Sequence, residues 1–288
     1  MSQVNETVSN QTPRQIKLIS QGMPATDGDG VKLTRIIGTP QLDMLDPFLL
    51  LDVFESDQPQ DYIGGFPRHP HRGFETVTYL LAGNMRHKDS AGNEGVIRPG
   101  GVQWMTAGKG IEHSEMPEQV EGLMKGFQLW VNLPSTAKMI EPGYQEFSPE
   151  QVTVEHRANG TSIRVISGTT NKGTVGPVKN HYINPTYMDI QLKAKDTFEQ
   201  SLPISDNAFI YMISGNSQVD GPEQQVEEGM LAILTQGDLV RIEAQTDSRF
   251  LLVSGAPIRE PVARGGPFVM NTKAEVLQAF ADYQSGKF

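Results

Sequence analysis

The 288-residue chain contains no cysteine. That removes disulfides, zinc–thiolate sites, iron–sulfur clusters and cysteine nucleophiles from consideration. A chain without cysteine suits a reducing compartment. The N-terminus, MSQVNETVSNQTPRQ, is polar and lacks the apolar core of a signal peptide, so a cytoplasmic location is expected. Without secretion, the glycosylation sequons at Asn5 and Asn10 carry no meaning. No apolar run approaches a membrane span. Basic charge is in deficit: 24 Lys and Arg stand against 34 Asp and Glu, a net charge of −10. Such a chain repels phosphate backbones unless a local basic patch overrides the balance. The densest basic cluster, Arg68, His69, His71 and Arg72, coincides with the candidate site below, so direct nucleic-acid binding is not expected. A protein partner stays open.

Glycine and proline, by contrast, are plentiful, at 29 and 19 residues. They punctuate short alternating runs rich in Val, Thr, Tyr and Phe. Residues 16–19 and 31–37 read as strands joined by the Asp27-Gly28-Asp29-Gly30 turn. Residues 48–54 form a short apolar run that suits a buried strand, and residues 74–81, 102–106 and 126–133 continue the series. About eight short strands with a turn every eight to twelve residues describe a β-sandwich or barrel. Residues 1–13 read as a tail, 14–134 as a first domain, 135–150 as a connector and 151–288 as a second domain. The connector contains a helical turn capped by Ser135. Near the C-terminus, Thr272-x-x-Glu275 is a capping box; Val276, Leu277, Phe280 and Tyr283 form an apolar stripe on a helix over 272–285.

The chain repeats itself. TVTYLLAGN at 76–84 lines up with AFIYMISGN at 208–216, and each copy is followed by an acidic hairpin and another apolar strand. Four of the six histidines fall between positions 69 and 113, in the first copy. His69 and His71 lie two apart, as do His113 and Glu115. Residues i and i+2 of a strand share a face about 7 Å apart, so each pair can aim both side chains at one point. Three imidazoles and a carboxylate suit iron, zinc, nickel or manganese. Carried over by the repeat offset, His69 and His71 fall on Ser201 and Pro203, while His113 and Glu115 fall near Ile242 and Ala244. One copy alone therefore carries the site. Glu75 shares the parity of His69 and His71 and is either a further ligand or a partner orienting an imidazole. His87 reads as surface, and His156 and His181 as ordinary. Ser135-x-x-Lys138 and Ser205-Asp206-Asn207 spell part of a penicillin-interacting serine-enzyme pattern, but its Lys-Thr-Gly element is missing.

The stretch HPHRGFETVTYLLAGNMRHKDSAGNEGVIRPGGVQWMTAGKGIEHSEMP, with LWVNLPSTAKMIEPGYQE and REPVARGGPFVMNT, resembles the pirin family over residues 14 to 285. The resemblance implies an all-β bicupin: two cupin β-sandwich or barrel domains with a short C-terminal helix, and a metal in the first domain. By position the implied ligands are His69, His71, His113 and Glu115, with Glu75, Arg68 and Arg72 standing behind them. The implied cofactor is one divalent ion, iron(II) first among the transition metals. Pirins resemble the quercetin 2,3-dioxygenases, which implies a flavonol-like aromatic substrate and O2, with Glu115 serving also as base. A second implication is a non-enzymatic, redox-dependent regulator that docks on a transcription factor or metabolic enzyme through a rim at Arg68 and Arg72.

Overall fold

Short β-branched and aromatic runs, cut by glycine and proline, fold almost wholly into strands. The computed structural model describes residues 11–221 and 223–288. Most of the expected N-terminal tail, residues 1–10, lies outside them. The remainder is docked: the Thr12 amide donates to Asp238 at 2.6 Å. The Arg14 guanidinium is fully buried and donates to the carbonyls of Asp206 and Pro203 at 2.8 and 2.7 Å.

Two units of one topology result. The first has a seven-stranded sheet in the order Gly143–Phe147, Val102–Thr106, Phe74–Ala82, Met124–Asn132, Phe48–Ser56, Val31–Ile37, Met23–Asp27. Opposite it lies a four-stranded sheet in the order Phe66–His71, Ile111–Pro117, Met85–Asp89, Glu94–Ile97. In the second unit the large sheet runs Ile16–Ser20, Leu231–Leu234, Asn207–Ser214, Ser248–Gly255, Thr186–Leu192, Ser162–Ser167, Thr153–His156. Its small sheet runs Thr197–Ser201, Leu239–Ala244, Asn216–Val219, Gln225–Glu227.

The expected pairing of residues 16–19 with 31–37 is corrected. A tight turn pairs the residues that flank it, so Met23–Asp27 takes that place, with Asp27 opposite Val31. Proline at position 24 suits the edge position this strand occupies. Ile16–Ser20 instead completes the second unit's sheet against Leu231–Leu234. The connector supplies the matching edge strand of the first unit, Gly143–Phe147. Its short helical turn, Ser135–Ala137, has no side-chain cap, because the capping position is Pro134, one residue before Ser135, whose hydroxyl donates to Glu260 instead.

The large sheets pack back to back over one shared core, which joins Val77, Tyr79, Trp104 and Phe127 to Tyr187, Phe209, Tyr211 and Leu251. The helix Lys273–Gln284 carries the expected capping box, and Val276 and Ala279 are its buried face. Leu277 is exposed, against the expected stripe. Among the described residues, no helix is long and apolar enough to cross a membrane.

Candidate metal centre

Alternation along two neighbouring strands builds the site. Phe66–His71 and Ile111–Pro117 run antiparallel, with His113 opposite His69 and Ile111 opposite His71. Their inward side chains meet between the two sheets of the first unit. One ring nitrogen from each of His69, His71 and His113 lies within 4.8 Å of the others. The Nε2 atoms of His69 and His71 are 2.9 Å apart. Nδ1 of His69 is 2.8 Å from the Pro67 carbonyl, which can only accept, so that nitrogen carries the proton and Nε2 presents its lone pair inward. His71 packs edge-on against Phe74 and Trp130, with ring centroids 5.1 and 5.3 Å away.

The electrostatics match the geometry. Burial, then the neighbouring imidazoles, holds His71 and His113 well below the usual histidine range, so both are neutral. Both ring nitrogens of His113 are buried without a hydrogen-bond partner. Orphaned buried nitrogens are costly. Three imidazoles converging on one point, two of them held neutral, fit a divalent transition metal, and they form a group able to bind one.

Glu115 lines the same cleft but is not among the three converging groups. A register shift separates it from His113. Its carboxylate accepts from the Thr78 hydroxyl at 2.7 Å and from the Gln128 amide at 3.3 Å. Glu75 faces the other way. Gly73, at φ +86°, resets the alternation between the two strands, so Phe74 and Thr78 face the site and Glu75 faces the second unit. There it accepts from Thr106 at 2.8 Å and Asn180 at 2.5 Å, and burial raises its pKa to about 7. It orients none of the imidazoles.

The arginines and His87 also differ from expectation. Arg72 is buried and bonded to Asp282, while Arg68 is exposed and bonded to Glu112. His87 is buried rather than on the surface, because its strand sits inside the small sheet. Its ring stacks on Tyr144, and Nε2 is 2.6 Å from the Glu146 carboxylate. Lys138 of the Ser-x-x-Lys pattern is a structural tie. Its ammonium donates to Gly73 O, Asn132 Oδ1 and Val269 O at 2.8, 2.8 and 3.0 Å, and burial lowers its pKa to about 8.

A cleft of about 810 Å³ opens onto His69, His71 and Glu115. Leu50, Phe54, Phe66 and Trp130 form apolar walls, and Arg264, Gly266 and Pro267 of the second unit close one side. Sequence reading missed these walls and the two residues that hold Glu115. Gln128 and Trp130 stand two apart on one strand, a spacing that places them on a shared face; nothing local points Arg264 at the site.

Two stacked β-units of one topology, with, among the described residues, a single three-histidine centre in the first, define a bicupin with a candidate metal site. The pirin family model matches residues 30–131, and the pirin C-terminal cupin domain model matches residues 187–288. The chain belongs to the pirin family. It is 53% identical over 275 residues to a pirin-like protein of Caulobacter vibrioides, covering 96% of this chain and 99% of that one. Human pirin is 44% identical over 269 residues, covering 91% and 89%. A crystal structure of quercetin 2,3-dioxygenase from Acinetobacter baumannii superposes with a TM-score of 0.88 at 33% identity, covering 96% of this chain and 99% of that one.

Proposed function

We propose that the protein is a metal-dependent dioxygenase of the pirin type that cleaves a flavonol-like aromatic with O2. The observation that carries this reading is the cleft: it is large, open, walled by Leu50, Phe54, Phe66 and Trp130 on its apolar side and by Arg35, Asp52 and Arg264 on its charged side, and floored by His69 and His71. A site that served only to staple the fold would be closed. The solved relative named quercetin 2,3-dioxygenase supports the substrate class.

In this reading His69, His71, His113 and Glu115 hold one divalent ion, iron(II) first. The ion supplies Lewis acidity and a route for electrons between substrate and oxygen. The chain's own residues do the rest. Leu50, Phe54, Phe66 and Trp130 take the flat apolar rings and exclude water. Glu115, steadied by Thr78 and Gln128, takes the proton of the substrate hydroxyl. The test is direct: iron-loaded protein mixed with quercetin in air should bleach the flavonol absorption band with uptake of oxygen, and the His71→Ala variant should not. Unchanged quercetin would overturn the reading. Of the rim that the docking-regulator alternative would use, Arg72 is buried against Asp282, while Arg68 stays exposed beside Glu112.

A further inference from the structure

Because strand residues alternate, the chain neighbours of each inward histidine point outward. Three of those neighbours are Arg68 before His69, Arg72 after His71 and Glu112 before His113. All three belong to one set of contacts with the C-terminal helix. The buried Arg72 guanidinium donates to Asp282 Oδ2 at 2.8 Å and to the Lys109 carbonyl, and it lies 4.4 Å from the centre of the Phe288 ring. Glu112 accepts from the Tyr283 hydroxyl at 2.6 Å on one oxygen and from Arg68 Nε at 2.6 Å on the other. Consecutive helix residues, Asp282 and Tyr283, thus hold both ligand strands from outside.

The tail adds a third point. Phe288 lies on Gly110, the residue before the His113 strand, so closely that a Cβ there would come within 2.7 Å of the ring. Phe268, bridged to Arg72, seats the assembly against Phe280 and Phe288 with ring centroids 4.8 and 5.5 Å away. The arrangement matters because Phe66–His71 is an edge strand, with a sheet neighbour on one side only. Between these two strands, the ladder also shifts register just after His113. The sheet by itself leaves the spacing of His69 and His71 from His113 weakly restrained.

We infer that the C-terminal helix and Phe288 form a clamp on the two ligand strands, with Asp282, Tyr283 and Phe288 acting as positioning residues for the metal centre. The inference rests on the reading that His69, His71 and His113 hold a metal. Groups that orient metal ligands from behind change affinity by about 10- to 100-fold when removed, and that is the size of effect expected here.

The test titrates metal-free full-length protein with cobalt(II), read by calorimetry and by its visible absorption, for wild type, Asp282→Asn/Tyr283→Phe and Phe288→Ala. Amide exchange over residues 111–115 is measured on the same metal-free samples. The variants should bind cobalt about 10-fold or more weakly, with an altered absorption band, faster exchange over 111–115 and an unchanged overall unfolding transition. If the double variant does not fold, Tyr283→Phe alone and Phe288→Ala decide. Wild-type affinity, spectrum and exchange in folded variants would overturn the clamp while leaving the metal reading intact. A wild type that binds no cobalt, with exchange still faster in the variants, would sink the metal reading and support the clamp as a strand restraint.

Discussion

In the first unit, the paired strands Phe66–His71 and Ile111–Pro117 set His113 opposite His69 and Ile111 opposite His71. In the second, Thr197–Ser201 and Leu239–Ala244 set Ile242 opposite Phe198 and Val240 opposite Gln200. The inward positions that carry His69, His71, His113 and Glu115 in one barrel carry Phe198, Gln200, Ile242 and Ala244 in the other. Phe198, Ile242 and Ala244 are packed into a continuous apolar cluster with Met188, Ile190 and Phe250. The Gln200 amide is satisfied by the carbonyls of Thr169 and Ser201 at 3.1 and 2.9 Å. A barrel of this topology therefore closes on an apolar interior without imidazoles. The first barrel keeps buried nitrogens without partners and an open cleft, both of which oppose stability. Their presence points to binding.

That contrast can be broken most sharply at His113. His113→Ala should take bound metal from one ion per chain to none by elemental analysis; a variant that keeps stoichiometric metal would erase the distinction between the units. The matched change, Ile242→Ala, should do the reverse. It opens a void in a closed core and should cost about 2–5 kcal/mol in denaturant unfolding, with metal content untouched.

Glu75, at the seam between the units, gives a smaller and pH-dependent effect. Its folded pKa, about 7, lies above the ordinary 4.5. The folded state thus favours the protonated acid. The stability Glu75 contributes is full below the ordinary value and is lost as pH rises through 7, by at most about 3 kcal/mol. Relative to Glu75→Gln, the wild type should weaken steadily between pH 5 and 8 in urea titrations. Parallel curves would show that the carboxyl is not the seam's titrating group. The smallest change is expected from Thr78→Val, which removes one donor to Glu115. Metal affinity measured against a competing chelator should fall by roughly fivefold, the worth of about 1 kcal/mol for one hydrogen bond.

Much of this was legible in the residues. The i, i+2 spacing of His69 with His71 needed only strand geometry, and the repeat put the second pair's counterparts near Ile242 and Ala244, which the ladders then fixed. The capping box at Thr272 and Glu275 formed as read. Other readings failed for identifiable reasons. The linear offset assigned Ser201 and Pro203 to the first histidine pair, whereas the ladders place Phe198 and Gln200 there. The second copy has a longer link between that strand and the repeated one, and an ungapped alignment cannot register it. Glu75 was misplaced because one glycine in the left-handed region inverted the parity of everything after it. Arg72 looked like a rim residue because its partners, Asp282 and Phe288, lie more than two hundred positions away.

By itself, the sequence determined the class of structure and the set of imidazoles. Both depend on periodicity and on spacing within single strands, which are local properties of the backbone. Only the tertiary structure decided which carboxylate shares the cleft, which faces the second unit, and what holds the ligand strands from behind. Those outcomes depend on a register shift, a glycine turn and contacts across the length of the chain, where the energy of packing rather than the order of residues chooses the neighbours.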